Sequence, residues 1–141
     1  NRGLSKYNLK DYNGAIADYT KAIEINPNYD IAYSNRGISK KNLKDYYGAI
    51  ADYTKAIEIN PNFAKAYTNR GISKDYLKDY YGAIADFTKA IEINPNYALA
   101  YSNRGSSKRN LGNLNGACVD WKKAAALGNK IAAEWVAKDC N

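Results

Sequence analysis

The sequence predicts an all-α solenoid, in which copies of one helical hairpin stack along the chain. The first observation is a repeated stretch: DYYGAIADYTKAIEINP at 45–61 returns at 11–27 and at 79–95 with one substitution in each copy. The second is the near identity of two longer units, because residues 30–63 and 64–97 differ at seven of 34 positions. A fixed period of this length is the signature of one supersecondary unit stacked on copies of itself.

The second helix of each unit is predicted by an apolar stripe. Ala49, Tyr53, Ala56 and Ile57 recur at the spacing of one helix face. We expect the alanines to let a neighbouring helix approach closely and Tyr53 to fill the gap beside them. Pro61 then ends the helix, because proline disfavours helical geometry in the residue before it.

The turn between two units carries asparagines on both sides of its proline, and the first helix of the next unit carries a glycine. Asn60 is expected to take the left-handed cap conformation, and Asn62 to accept from the first amides of the next helix. Gly71 lies within that next helix, where glycine costs about 1 kcal/mol relative to alanine. Glycine returns at this phase in every copy, so we expect another backbone to approach closely there.

Seven positions of the unit match a known pattern: in the second copy they are Tyr33, Arg36, Gly37, Lys40, Ala49, Tyr53 and Pro61. In the third copy they are Tyr67, Arg70, Gly71, Lys74, Ala83, Phe87 and Pro95. The chain therefore resembles the tetratricopeptide-repeat family, whose 34-residue unit reads W-x2-L-G-x2-Y, then A-x3-F, then P. Arg stands where the family usually has Leu, and Lys where it has the first Tyr. The resemblance implies a right-handed superhelix of antiparallel helix-turn-helix repeats with a concave groove lined by the first helices.

We divide the chain into one domain with five units. These are a truncated repeat 1–29, full repeats 30–63 and 64–97, a degenerate repeat 98–129 and a capping helix 130–139. Trp135 in the last unit stands at the phase of Tyr33. The chain begins in mid-repeat without Met, so we expect the natural protein to start earlier. The shortened first helix is expected to leave Ile16, Tyr19 and Ile23 less covered, which would let molecules stack end to end.

The charge balance excludes little by itself. The formal net charge is +7 and the pI about 9.3, which would favour acidic peptides, nucleic acid or anionic membranes. Most of the excess lies in lysines that recur on outward faces, such as Lys21, Lys55 and Lys89, so a solvated surface explains it. No apolar run approaches the roughly 18 residues of a membrane span.

An ion pair is predicted inside each hairpin. Arginine recurs at Arg2, Arg36, Arg70 and Arg104, and aspartate follows each one 16 residues later, at Asp18, Asp52, Asp86 and Asp120. Arginine and aspartate on the two helices of one hairpin can form a two-bond salt bridge. The alternative is an arginine row that faces a ligand.

The resemblance places one face of the first helices in the groove. Asn1, Asn35, Asn69 and Asn103 form a row there, and asparagine can donate to and accept from a peptide backbone; hydrogen bonding between repeats or to water is the alternative. Four of the seven differences between the two full repeats fall on this face, which is typical of a recognition surface and also of a tolerant one. The candidate ligand-binding residues are Asn35, Ile38, Lys41, Asn42, Lys65, Asn69, Ile72, Asp75, Tyr76, Asn103 and Arg109.

Some family members hold a ligand's C-terminal carboxylate in a clamp of Lys, Asn and Arg. In this chain the asparagine row and Lys65 fit that clamp, while Ser34, Ile38 and Asn69 occupy its other cationic places. Binding of a chaperone tail in that way is therefore not expected.

Catalysis has no support in the sequence. There is no His, no nucleophile beside a base and no glycine-rich phosphate loop, and two cysteines alone do not make a tetrahedral zinc site. We expect a non-catalytic protein-interaction module without cofactor or metal, which binds a peptide or a partner helix in the groove. One alternative is a scaffold unit that stacks end to end through its truncated N-terminal end, forming a homo-oligomer. Another is RNA binding, against which the 34-residue period and Asp75 between Lys41 and Arg109 count, so no specific nucleic acid is expected.

The two cysteines stay open at this stage. Cys118 and Cys140 stand at similar depth on either side of the turn near 128–129, so a disulfide fits an antiparallel hairpin, and two free thiols are the alternative. Free thiols would indicate a cytoplasmic protein, whereas a disulfide would indicate a periplasmic or secreted one.

Overall fold

The chain is an all-α solenoid. The computed structural model describes residues 2–141, and these form nine helices and no strand. The helices are α1 (Arg2–Asn8), α2 (Tyr12–Ile25), α3 (Asp30–Asn42), α4 (Tyr46–Ile59), α5 (Ala64–Tyr76), α6 (Tyr80–Ile93), α7 (Ala98–Asn110), α8 (Leu114–Ala126) and α9 (Lys130–Asp139). Each helix packs against the next, and α3, α5 and α7 also contact one another in sequence, so they form one layer. None of the helices in residues 2–141 has the length and hydropathy of a membrane span.

The alanine and aromatic seam between hairpins is buried as predicted. In the second hairpin Ala49, Tyr53 and Ala56 are all 0% exposed, and Phe87 takes the place of Tyr53 in the third. Trp121 does so in the fourth, where Ala117, Ala124 and Ala132 surround it. Since alanine adds little bulk, the helix backbones approach closely and one buried ring in each hairpin fills the space between them.

The repeated glycine of the first helix makes room for that ring. A Cβ on Gly71 would lie 2.7 Å from Cε1 of Phe87, and one on Gly37 would lie 2.8 Å from Cε1 of Tyr53. The expectation that another backbone approaches here was therefore wrong for these glycines. The close neighbour is the aromatic side chain of the hairpin's own second helix.

The asparagines in the turn between two hairpins make other hydrogen bonds than those predicted. Asn60 is extended (φ −130°, ψ 90°), its Oδ1 accepts from the amide of Asn62 at 3.2 Å, and its Nδ2 donates to Asp30 at 2.9 Å. The next helix has Phe63 as its N-cap, without a side-chain hydrogen bond. The predicted left-handed cap at Asn60 and the predicted capping role of Asn62 are both wrong.

The left-handed residues lie instead in the turn inside each hairpin. Lys44 has φ 63°, and the residues at the same place are Lys10, Lys78 and Gly112. Directly after this turn Asp45 caps the second helix, because its Oδ1 accepts from the amide of Gly48 at 2.9 Å. Asp11, Asp79 and Asn113 do the same in the other hairpins.

The two ends of the solenoid are both packed. Tyr19 is 3% exposed and lies against Gly3 of α1, whereas Tyr53 and Phe87 are 0% exposed, and Ala22 is half-buried where Ala56 is buried. The first hairpin is therefore slightly less covered than the others, in the predicted direction. At the other end Trp135 of α9 packs on Trp121 with ring centroids 5.1 Å apart.

The last helix is also held covalently. Cys118 of α8 and Cys140 form a disulfide. Of the two alternatives for the cysteines, the disulfide is therefore the one present, a bond that persists in oxidising compartments such as the periplasm and the extracellular space.

Candidate functional site

Each hairpin contains a buried charge network that fixes its two helices. Arg36 donates from Nε and Nη2 to the two oxygens of Asp52 at 2.9 and 2.7 Å, and Lys40 Nζ lies 2.9 Å from the same carboxylate. The third group of the arginine, Nη1, donates to Thr20 of the preceding hairpin at 3.0 Å. The predicted salt bridge is confirmed, and Arg36 joins two hairpins instead of facing a ligand.

The same network recurs in the next two hairpins, around Arg70 with Asp86 and around Arg104 with Asp120. The bridge predicted between Arg2 and Asp18 was wrong, because within the described residues no ion pair joins them. Instead Lys6 lies 3.0 Å from Asp18 and holds the pKa of that carboxyl below its usual value. These charged groups pair with one another inside the solenoid. A ligand would therefore have to bind at a different surface.

That surface is the layer of first helices. We call the solvent-facing side of α1, α3, α5 and α7, which carries the predicted ligand residues, the inner wall. Near its start a depression of about 150 Å³ is lined by Leu4, Tyr7, Tyr19, Asn35, Ile38 and Lys65. It brings together three of the candidate ligand-binding residues, Asn35, Ile38 and Lys65, with Leu4, Tyr7 and Tyr19.

A second depression follows between α3 and α5. It measures about 330 Å³ and is lined by Lys41, Asn42, Lys44, Tyr46, Ile72 and Tyr76. Lys44 and Tyr46 were missed because they follow the first helix, whereas the resemblance directs attention to the first helix alone. The signal that could have found them is Tyr76, a large aromatic that replaces Asn42 in the next repeat and needs a neighbour.

The predicted residues one turn along the wall also connect neighbouring hairpins. Lys41 Nζ donates to Asn69 Oδ1 at 3.4 Å, and Arg109 Nη1 donates to Asp139 Oδ2 at 3.2 Å. Asp75 Oδ1 accepts from the hydroxyl of Ser107 at 2.6 Å. These positions therefore serve the stacking of hairpins as well as the surface.

The asparagine row is not uniform. Asn35 is half-buried beside the first depression, whereas Asn69 is 9% exposed and accepts from Lys41. Asn103 donates to the carbonyl of Leu99 in its own helix at 3.0 Å, and Asn1 lies outside the described residues. Hydrogen bonding between repeats, the alternative for this row, is present at Asn69.

The sequence comparisons decide the family. Profiles described as "Tetratricopeptide repeat" match residues 1–29, 31–63 and 64–97, and another with the same description matches 87–118. The chain belongs to the tetratricopeptide-repeat family. A comparison with curated proteins found no match for this tetratricopeptide-repeat chain.

Solved structures agree on the fold. "Crystal structure of MamA" has a TM-score of 0.85 and 24% identity over 91% of this chain and 75% of the other. MamA from Desulfovibrio magneticus RS-1 has a TM-score of 0.83 and 22% identity over 89% and 71%. The first TPR of Spaghetti (RPAP3), bound to the HSP90 peptide SRMEEVD, has a TM-score of 0.77 and 26% identity over 78% and 87%. Membership of the tetratricopeptide-repeat family supports a protein–protein interaction module.

The charges of the inner wall change sign along its length. Lys41 and Lys65 lie where α3 meets α5, and burial together with the charge of Lys65 lowers the pKa of Lys41. One repeat further, Asp75 brings a carboxylate to the α5 and α7 boundary. Within residues 2–141, no group of three or more His, Cys, Asp or Glu side chains is placed to hold a metal ion.

Proposed function

We propose that the inner wall binds an extended peptide of a partner protein, and that the chain acts by binding and not by catalysis. The observation that carries this proposal is the pair of depressions on neighbouring first helices. Each combines an apolar floor, Ile38 in one and Ile72 in the other, with an amide and a lysine. Pockets of this mixed composition suit short polar chains with apolar side chains.

The spacing of the wall also suits an extended chain. Packed helices lie about 8–10 Å apart, and an extended chain rises about 3.3 Å per residue. About three peptide residues therefore pass each first helix. Alternate side chains would point at the wall and enter successive depressions.

The Spaghetti (RPAP3) structure supports a peptide as the occupant, since that related fold holds the HSP90 peptide SRMEEVD. Asn35 and Lys65 stand at two places of the carboxylate clamp known in the family, but Ser34, Ile38 and Asn69 occupy the others. We therefore propose an internal peptide segment and not a C-terminal tail.

A selection from random nine-residue peptides, followed by calorimetry on the peptides recovered, tests this function. The double variant Asn35→Ala/Lys65→Ala removes both polar groups of the first depression. We expect its Kd for a selected peptide to rise at least about tenfold, since two polar contacts of roughly 1 kcal/mol each are lost.

The matched control is Asn28→Ala/Lys55→Ala, which removes the same residue types at exposed positions outside both depressions. We expect its Kd to stay within about twofold. Equal losses in the two double variants, or no peptide recovered by the wild-type chain, would contradict peptide binding at the inner wall.

A further inference from the structure

The second depression contains a cation, Lys41, that has no anionic partner among the described residues 2–141. Lys41 is half-buried, and in the described chain its Nζ donates to the neutral side-chain amide oxygen (Oδ1) of Asn69 at 3.4 Å. No carboxylate of residues 2–141 lies within ion-pairing distance of it. The adjacent Lys40, in contrast, lies 2.9 Å from Asp52. A partly desolvated ammonium without a counter-ion is unfavourable, so a ligand anion would complete the environment of Lys41.

Two further cations strengthen the positive potential around this depression. Lys44 lies at its mouth in the turn between α3 and α4, and Lys65 acts on Lys41 from α5. Both are exposed. An anion that entered here would therefore meet more than one lysine.

The same depression has an aromatic wall with a free face. Tyr46 and Tyr76 are stacked, with ring centroids 4.8 Å apart and planes at 9°. Tyr76 is nevertheless 63% exposed, so the face turned away from Tyr46 is open to solvent. Stacked aromatic pairs contribute about 0.5–1.5 kcal/mol beyond the burial of their area, and this open ring can accept a third ring.

The corresponding place in the next repeat has the opposite character. Asp75 replaces Lys41 and already accepts from Ser107 at 2.6 Å, while Asn110 replaces Tyr76. Between α5 and α7 the cation and the exposed aromatic ring are thus both replaced, and this difference between neighbouring places on the wall can set the register of a bound chain.

We infer that the depression between α3 and α5 recognises an acidic residue and an aromatic residue two positions apart in the bound peptide. The carboxylate binds Lys41, and the aromatic ring stacks on Tyr76. A spacing of two follows because side chains i and i+2 of an extended chain share one face, about 6.6 Å apart. This inference rests on the peptide-binding function proposed above and names the class of peptide.

The peptide selection tests the inference when it is repeated with two single variants. Lys41→Gln removes the cation of the depression, and Lys55→Gln removes an exposed lysine whose partner is Glu58. Both lower the net charge by one. We expect peptides selected by the wild-type chain and by Lys55→Gln to be enriched in Asp or Glu two residues from Phe, Tyr or Trp, and those selected by Lys41→Gln to lose the acidic residue.

A selected peptide is then compared with its Glu→Gln derivative by fluorescence anisotropy. We expect the derivative to bind the wild-type chain about tenfold more weakly, the size of a charge-assisted hydrogen bond. On Lys41→Gln the two peptides should differ less than about twofold. The ratio of two affinities on one protein sample does not depend on the folded fraction, so a destabilised variant remains informative.

The double variant Lys41→Asp/Asp75→Lys exchanges the two charges without altering the composition. We expect it to select peptides in which the acidic residue has moved by two or four positions relative to the rest of the motif, because the neighbouring depression lies about three residues away and side chains on one face of an extended chain are an even number of residues apart. The same ratio on wild type and on Lys41→Gln would overturn the inference while leaving peptide binding intact. Failure to select any inner-wall-dependent peptide would contradict the proposed function itself. Displacement of every selected peptide by a single-stranded oligouridylate at 150 mM salt, roughly physiological, would assign the depression to RNA and overturn the inference.

Discussion

From one repeat to the next, the contacts in the interior of the solenoid stay the same, whereas those on its inner wall change. In the second and third hairpins the Arg–Asp distances are identical, at 2.9 and 2.7 Å, and the Lys–Asp distances are 2.9 and 2.8 Å. On the inner wall of the same hairpins, Lys41 makes a 3.4 Å contact with an amide where Asp75 makes a 2.6 Å contact with a hydroxyl. The interior thus keeps the stacking geometry constant, and the wall is free to carry different chemistry in each repeat.

The largest expected effect comes from breaking the interior network. Asp52→Ala leaves Arg36 and Lys40 partly buried without their carboxylate, and removal of one partner from a buried ion pair costs about 3–5 kcal/mol. Urea denaturation followed by circular dichroism measures the free energy of unfolding. Glu58→Ala is the control, because Glu58 forms an exposed pair with Lys55 that is worth less than about 1 kcal/mol. Similar losses in both variants would refute the role of the network.

The fourth hairpin has the same charge network, and a disulfide also links it to the end of the last helix. The disulfide closes a loop with a sequence separation of 22, for which chain entropy predicts about 3 kcal/mol of stabilisation. We expect Cys118→Ser/Cys140→Ser to lower the free energy of unfolding by that amount, measured by urea denaturation. Titration of the unfolded wild-type protein without reductant should find no free thiol; two thiols per chain would contradict the disulfide.

The fit between glycine and ring is the next feature to test. Gly71→Ala would gain up to about 1 kcal/mol in helix propensity, but its Cβ would lie 2.7 Å from a ring that is fully buried. Overpacking typically costs about 1–3 kcal/mol, so we expect a net loss of stability. A double-mutant cycle with Phe87→Leu measures the coupling. An additive cycle would show that the ring is not the reason for the glycine.

One buried difference between the two full repeats allows a stabilising change. The hydroxyl of Tyr53 is buried without a hydrogen-bond partner in residues 2–141, and the next repeat has Phe87 there. A buried unsatisfied polar group costs about 1–3 kcal/mol, so we expect Tyr53→Phe to raise the free energy of unfolding by about 1 kcal/mol at pH 7. Tyr47→Phe at an exposed position should change nothing.

The same variant changes the response to alkali. Burial raises the pKa of Tyr53 above its ordinary value of 10.0, so in the folded state the phenol keeps its proton when the unfolded chain loses it. Above about pH 10 the unfolded chain releases this proton and the folded chain does not. The free energy of unfolding therefore falls as the pH rises from the unfolded pKa of about 10 towards the higher folded pKa. We expect thermal unfolding above pH 10 to depend less on pH in Tyr53→Phe. An unchanged pH dependence would contradict this cause.

The smallest effect belongs to the inner wall. Lys41→Gln removes a half-buried cation that is repelled by Lys65 and, in the described part of the chain, pairs with no carboxylate. We expect the free energy of unfolding to change by less than about 0.5 kcal/mol, in the stabilising direction, because the change removes an unfavourable desolvation. A loss above about 1 kcal/mol would place Lys41 among the structural residues of the interior.

The features that depend on local pattern could be predicted. The period, the apolar stripe around Tyr53 and the helix-ending Pro61 each act within one repeat, so the hairpins and their Arg36–Asp52 bridge followed from spacing alone. The features that failed depend on which atoms meet between helices, within one repeat at Gly71 and across repeats at Asn69. The neighbour of Gly71 and the partner of Asn69 could not be read from spacing, because spacing gives a face of a helix and not the side chain opposite it.

The sequence by itself determined the all-α solenoid and the order of its units. Each repeat carries the same apolar stripe, and stacking against the neighbouring copy buries it. The tertiary structure decided how the wall is used. It joined Lys44 and Tyr46 to Lys41 and Tyr76 in one depression. Among residues 2–141 it placed a carboxylate beside Lys40 and none beside Lys41. Neighbouring lysines differ in this way because successive residues of a helix point to different sides, and only the packed neighbours decide which side holds an anion.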